Sequence, residues 1–367
     1  MSKLPTPRTV YRTLMWLNAV VAVAYVASAY AGYVDPHYFA IVSLLGLAYP
    51  VMLILLLCFV GVWLAVRSLN CWRNLWICGI ALVLTVPQLL AFCPLKGLFR
   101  SGKLADFRLM SYNVYEIRHA EGEPSPLDEI LENDPDFVCL QEMPTVEALD
   151  KSKNDDRWKQ IRKKYPYVET AKTTSVGFMS KQPAEMIEER SDMHYFGYAI
   201  YKTTIADSKA YIINVHLESI GLNDSDKQLY MKLTSKHPQV RGVRSQLMSK
   251  LCVAFRNRAL QAKEIRQKAD SLQRYNSDAT VMICGDFNDT PYSYAYLTAR
   301  GNFADAYCDG GVGPMITYNR NRFYFHIDQI LYSDRQIEAV ACRRGTSKAS
   351  DHYAVIADFK IKKKTTK

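Results

Sequence analysis

Six short polar groupings interrupt the apolar runs of this chain after residue 105. They are Ser111-Tyr112-Asn113, Gln141-Glu142, Asn214-Val215-His216, Gly285-Asp286-Phe287-Asn288, Ile327-Asp328 and Ser350-Asp351-His352. A lone carboxylate after a strand is usually a turn or cap residue. A lone histidine on a strand is usually a satisfied core or surface residue. Six such groupings in one chain are harder to explain as caps. Together they offer the carboxylates Glu142, Asp286, Asp328 and Asp351, side-chain amides, and the imidazoles of His216 and His352. Hard oxygen donors without thiolate suit Mg²⁺ or Mn²⁺. Imidazoles beside them suit phosphate chemistry. Asp286 and Asn288 stand two apart, so on an extended strand end they are expected to point to one side.

Other motifs fail on inspection. Gly97 to Lys103 spells GLFRSGK, but Leu104 follows where a hydroxyl must hold the metal of a phosphate loop, and no strand precedes it. No H-E-x-x-H, zinc-type cysteine pair or G-x-S-x-G occurs. Five cysteines after residue 105 make an odd set, so a full disulfide framework is not expected, although Cys308 and Cys342 could pair.

The elements that must position these groups are strands. Apolar runs rich in β-branched and aromatic residues cover 107–112, 136–141, 176–180, 196–205, 210–217, 280–285, 325–332 and 353–359. A short helix fits Leu127 to Leu131. Residues 241–274 carry Leu247, Leu251, Ala254, Phe255, Arg258, Ala262 and Ile265 at helical spacing and read as one long amphipathic helix. Pro291 suits the first turn of another helix. Residues 218–240 are polar and read as a loop near His216, either a lid or an ordinary surface loop. Strands and helices alternate irregularly, which predicts an α/β or α+β class with sheet packed on sheet.

The first hundred residues are different. They hold seven Lys or Arg and one acid, Asp35, out of 46 basic and 36 acidic residues in the chain. Three windows are free of charge: 13–34, 38–66 and 74–95. About 20 apolar residues cross a bilayer core of about 30 Å, so each window predicts a transmembrane helix, with Pro50 and Pro87 tolerated inside lipid. Lys3, Arg8, Arg12, Arg67 and Arg73 place the N-terminus and the second loop in the cytoplasm. Three spans then put the later domain on the outer side. Residues 1–100 are thus read as a membrane anchor and 101–367 as a separate catalytic domain. Five lysines in Lys360–Lys367 read as a solvated tail; without them the domain has no excess of positive charge for nucleic acid.

The ordered set Tyr112-Asn113, Gln141-Glu142, Asn214-x-His216, Gly285-Asp286-Phe287-Asn288, Ile327-Asp328 and Ser350-Asp351-His352 resembles the endonuclease/exonuclease/phosphatase superfamily over about 105–360. The run Gly285 to Pro291 with Ser293-Tyr294-Ala295-Tyr296 resembles its membrane-attached bacterial members. The resemblance implies a DNase I-like four-layer α-β-β-α sandwich, here preceded by three transmembrane helices in a bacterial inner membrane. It implies a Mg²⁺ or Mn²⁺ site at Glu142, with Asn113 and Asp351 beside it. It implies water activation by Asp286, phosphate contacts from Asn288, His216 and His352, and an Asp328 that orients His352. Tyr115 stands where the abasic-site endonucleases of this superfamily carry an Asp ligand, which argues against that branch. His326 stands before Ile327-Asp328 where related bacterial members often have Arg. The implied activity is metal-dependent hydrolysis of a phosphodiester or phosphomonoester, such as a lipid headgroup or a nucleotide. A nuclease of the same fold outside the cytoplasm and a non-catalytic binder of a phospholigand are the alternatives.

Overall fold

The computed structural model describes residues 7–66, 71–100, 104–118, 123–151, 155–191, 196–220, 241–320 and 323–362. Arg67, residues 221–240 of the expected loop and Lys363–Lys367 of the tail lie outside the described residues.

Among the described residues after 105 there are fourteen strands. They are β1 (Phe107–Asn113), β2 (Phe137–Gln141), β3 (Tyr167–Thr170), β4 (Gly177–Ser180), β5 (Glu185–Ser191), β6 (Gly197–Ile205), β7 (Ser208–His216), β8 (Thr280–Asp286), β9 (Ala304–Asp305), β10 (Tyr318–Arg320), β11 (Phe323–Phe325), β12 (Asp328–Tyr332), β13 (Ile337–Arg344) and β14 (Val355–Ile361). One six-stranded sheet has the order β13-β14-β1-β2-β4-β3, the other β5-β6-β7-β8-β12-β9, and β10-β11 is a separate hairpin. Both large sheets are mixed: β1 and β2 run parallel, as do β7 and β8, while the other pairs are antiparallel.

Alternation along the strands explains the layering. Leu109, Phe137, Cys139 and Phe178 of the first sheet meet Tyr201, Ile212, Met282, Cys284 and Ile330 of the second in one buried cluster. The opposite face of the second sheet, through Ile213, Val215, Val281 and Ile283, packs on the helices Arg241–Tyr275 and Tyr294–Arg300. The outer face of the first sheet, through Met110, Val138 and Leu140, packs on Pro126–Asn133 and Asp156–Lys164. The result is the expected helix–sheet–sheet–helix stack.

Three expectations change and one open possibility, the Cys308–Cys342 bridge, is closed. The run 325–332 splits between β11 and β12, which belong to different sheets. Pro291 does not open a helix; the next one starts at Tyr294, because Ser293 caps it by accepting from the Tyr296 N–H. Cys308 and Cys342 are both free thiols. The three apolar windows are not three unbroken helices. Arg8–Tyr33 is one helix long and apolar enough to cross a membrane. The other two windows are bent pairs, Pro36–Leu47 with Tyr49–Ala65 at 47° and Cys71–Leu84 with Val86–Phe92 at 70°. Pro50 and Pro87 lie just past these breaks, where the missing amide hydrogen removes a helical bond.

Candidate active site

The polar groupings gather at the carboxyl ends of β1, β2, β7 and β8, at one end of the packed sheets. Asn113 ends β1, and its Nδ2 donates to Glu142 Oε1 and to Asp286 Oδ2, both at 3.2 Å. That amide ties the first sheet to the second. Glu142 follows β2 in a left-handed conformation (φ 53°), which turns its side chain off the strand path. His216 and Asp286 are register partners at the parallel ends of β7 and β8. Gly285 carries φ +144° because a Cβ there would fall 1.9 Å from Val215 O.

The imidazoles differ in setting. His352 Nδ1 lies 3.0 and 3.2 Å from the two oxygens of Asp328, and its Nε2 lies 3.6 Å from Asp286 Oδ2. Burial disfavours its charge, but Asp328 and Asp286 outweigh this and push its pKa up to about 10. His216 Nε2 stands 3.8 Å from Asp286 and 3.9 Å from Glu142. Burial dominates there and lowers its pKa, so this ring is neutral at pH 7. Its Nδ1 has no hydrogen-bond partner among the described residues. Phe196 packs edge-on against His216, and Tyr318 of β10 against His352, each with ring centroids 5.0 Å apart.

Burial raises the carboxyl pKa of Asp286 to about 6, with the nearby Asp328 charge adding to the effect. Burial also raises that of Glu142. Asp351 adds negative charge beside Glu142 and pairs with Arg320 at 3.3 Å. Four carboxylates therefore converge, and His352 and Arg320 supply positive charge beside them. The donor set is all oxygen on the Glu142 side, which fits a hard divalent cation. Among the described residues, ligand-type atoms within 4.8 Å of one another belong to Asp286, Asp328 and His352. In that trio Asp328 is committed to His352 through both oxygens, so it reads as a hydrogen-bonded relay, and the Glu142 side offers the freer oxygens.

Asn288 departs from expectation. It adopts φ +49°, which turns it off the extended path, so it does not share a side with Asp286 as an extended strand end would. Its backbone N–H donates to Asp286 Oδ1 at 2.8 Å, and its Nδ2 donates to Leu217 O at 2.9 Å. It ties the ends of β7 and β8 together.

Further residues support the site, two of them from the six groupings and the others outside them. Gln141 and Asn214 are buried and bond across the sheets at 2.6 Å. Glu129 is buried and accepts from the Thr346 and Ser347 amides, which fixes the loop leading to Asp351-His352. Arg258 is buried and reaches both Asp289 Oδ2 at 3.1 Å and Glu218 O at 2.9 Å. Its place on the apolar stripe of the long helix is the signal that could have found it, since a buried guanidinium needs a partner. His326 is buried against Tyr307, with ring centroids 5.3 Å apart.

Comparison with known proteins gives the following likenesses. Truncated Caenorhabditis elegans TDP2 is 15% identical with a TM-score of 0.46, covering 69% of this chain and 97% of that one. The human Nocturnin catalytic domain is 16% identical with a TM-score of 0.45, covering 70% and 94%. Sphingomyelinase C from Streptomyces griseocarneus is 16% identical with a TM-score of 0.40, covering 70% and 99%. No curated protein sequence matches this chain significantly. Residues 11–92 match a domain of unknown function, DUF8431. Residues 110–352, well over half of the chain and running from within β1 to His352, match the Endonuclease/Exonuclease/phosphatase family, and the chain belongs to that family.

Proposed function

We propose that this protein hydrolyses a phosphate ester by attack of water on phosphorus, with the P–O bond broken. The observation that carries the reading is the buried chain of groups Asp328–His352–Asp286, with His216, Glu142 and Asn113 around it. Asp286 is the base: a carboxylate whose pKa is raised to about 6 is ionised at neutral pH and still basic enough to take a proton from water. Asp328 holds the Nδ1 proton of His352, so the cationic ring presents its Nε2–H to a phosphate oxygen. Neutral His216 donates a ring N–H hydrogen bond to a phosphate oxygen, and the cationic His352 gives its Nε2 proton to the leaving oxygen. Asn288 positions Asp286 through its backbone N–H. Glu142, with Asn113 and Asp351, would hold Mg²⁺ or Mn²⁺. The bound cation would supply positive charge against the phosphate oxygens.

We further place the catalytic part at a membrane. Trp16, Val20, Val23, Ile54, Trp76 and Val83 of the helical region are exposed, and an apolar surface of this kind suits lipid. Counting each bent pair as one span gives three crossings, and the basic residues Arg8, Arg12, Arg67 and Arg73 favour an N-terminus inside a bacterial inner membrane. The site then works outside the cytoplasm on a phosphodiester or phosphomonoester, with a lipid headgroup or nucleotide as candidates.

The test uses the full chain in detergent. A chromogenic diester and a monoester are supplied with Mg²⁺, with Mn²⁺ or with chelator, beside His352→Ala. Metal-dependent turnover lost in the variant is the expected result. Turnover by His352→Ala equal to that of the parent chain would overturn the catalytic reading.

A further inference from the structure

The segment from Asp286 to Tyr294 begins in the site and ends on the membrane-type helices. Past Asn288, Asp289 is buried and paired with the buried Arg258. Tyr292 is then buried in the cluster formed by the helical region. Its ring lies 4.7 Å from that of Tyr49. Tyr49 in turn stacks on Tyr25, whose hydroxyl accepts from Thr85 at 2.7 Å. The backbone of Tyr292 presses on Gly32, where an added Cβ would stand 2.1 Å from Tyr292 O. Asp35, between the first two helical windows, accepts from Tyr294 Oη at 3.1 Å and from Lys263 Nζ at 2.7 Å. Arg256 Nε donates to Pro36 O at 3.4 Å.

A tether needs only a covalent link. Here all three helical windows contribute to one surface, and that surface meets the segment that carries Asp286 and Asn288. The contact is close enough at Gly32 to exclude a methyl group, and it is charged at Asp35. The glycine has no other evident reason to be small, since it makes no positive-φ turn.

We propose that Gly32, Asp35 and Tyr49 form a positioning surface for the Asp286–Asn288 turn, so that the membrane helices complete the site as well as anchor it. The inference rests on the hydrolase reading for its kinetic consequence and on the contacts alone for its structural one.

Gly32→Ala in the full chain in lipid nanodiscs is the test. Gly61→Ala and Gly79→Ala are its controls, because a Cβ at either position meets nothing within 4 Å. Two readouts are taken: amide hydrogen exchange over 286–294, and kcat and KM for the best ester found. Gly32→Ala should raise exchange over 286–294 and lower kcat by about 10-fold to 10²-fold at nearly constant KM, as expected for displaced catalytic groups. Both controls should match the parent chain. Equal exchange in Gly32→Ala and the controls would overturn the proposal. If no protein turns over any ester, the hydrolase reading fails while the exchange comparison still decides this one. If Gly32→Ala does not fold, Asp35→Asn and Tyr294→Phe are put to the same two readouts, and parent-like exchange in both overturns the proposal.

Discussion

In the helical region Val20, Val23, Ile54 and Trp76 face outward, while Asn18, Asn74, Thr85 and Gln88 are buried. In the sandwich Lys159, Lys202 and Lys209 face outward, while Ile212, Met282 and Ile283 are buried. One chain therefore carries two surfaces of opposite preference. The difference teaches that burial has to be judged against the solvent each region is built for. With the helical region in lipid, as proposed, its apolar exposure costs little, and interior polar groups such as Tyr25 and Thr85 bond between helices. The sandwich follows the aqueous rule, and its charged departures are the paired Arg258 and Asp289, Glu129, Asp305 and the site. There Asp286, Asp328, His216 and His352 are all buried, at a place where charge is useful.

The largest expected effect sharpens that exception. Asp286→Ala should lower turnover by about 10²–10⁴-fold while leaving the melting temperature close to that of the parent chain. Parallel activity and unfolding measurements check this. A smaller effect tests the lipid-facing surface. Val23→Lys puts a charge near the middle of the Arg8–Tyr33 helix, on a residue that is 70% exposed. In lipid this costs about 2.5–3.5 kcal/mol. The same change at the exposed Ile187 of β5 should stay within about 0.5 kcal/mol. Equal behaviour of the two variants in a membrane-extraction and unfolding assay would break the comparison.

Third is Asp328→Asn. The parent His352 has its pKa raised to about 10, so its cationic form persists through neutral pH and is lost as pH rises through that value. Removing the Asp328 charge should move the alkaline limb of kcat/KM to lower pH, read from a pH–rate profile. An unmoved limb would separate His352 from that limb. The smallest effect concerns the contact between the two regions. Burial opposes ionisation of Asp35, but Lys263, the His37 amide and Tyr294 prevail and lower its pKa to about 2. Its contribution is full above the ordinary carboxylate range and fades as pH falls through about 2. Asp35→Asn should therefore weaken the contact at pH 7 and make no difference below pH 2, followed by hydrogen exchange at Tyr294.

Much of the sandwich is legible in the sequence because its central strands are fully buried and read as apolar runs; β1, β2, β7 and β8 are examples. The missed strands are the half-exposed ones. β5 carries Glu185, Glu188, Glu189 and Arg190 and so resembles a surface loop. β13 ends in Arg343-Arg344 and bulges between Ala339 and Ala341. The site groupings were visible as residue types at strand ends, and the fold brings them together. What spacing alone could not give is the left-handed turn at Asn288, the reach of Glu129 to the loop before Ser350, or the approach of Tyr292 to Gly32. Each depends on contacts between segments far apart in the chain. The breaks near Ala48 and Thr85 were foreshadowed by Pro50 and Pro87, but the bend angles depend on how the helices pack.

The pairing of β1 with β14 has a consequence in time. Phe107 to Ser111 lie opposite Phe359 to Val355, so the first strand of the sandwich, paired with β2 on one side, gains its other neighbour only when the last strand has emerged. Asn113 and His352, from the two ends of the sandwich, both stand beside Asp286 Oδ2. The reactive cluster therefore cannot assemble on a partly synthesised chain. A growing polypeptide carries every acid and imidazole of the cluster, yet these groups come together only when its final strand closes the sheet.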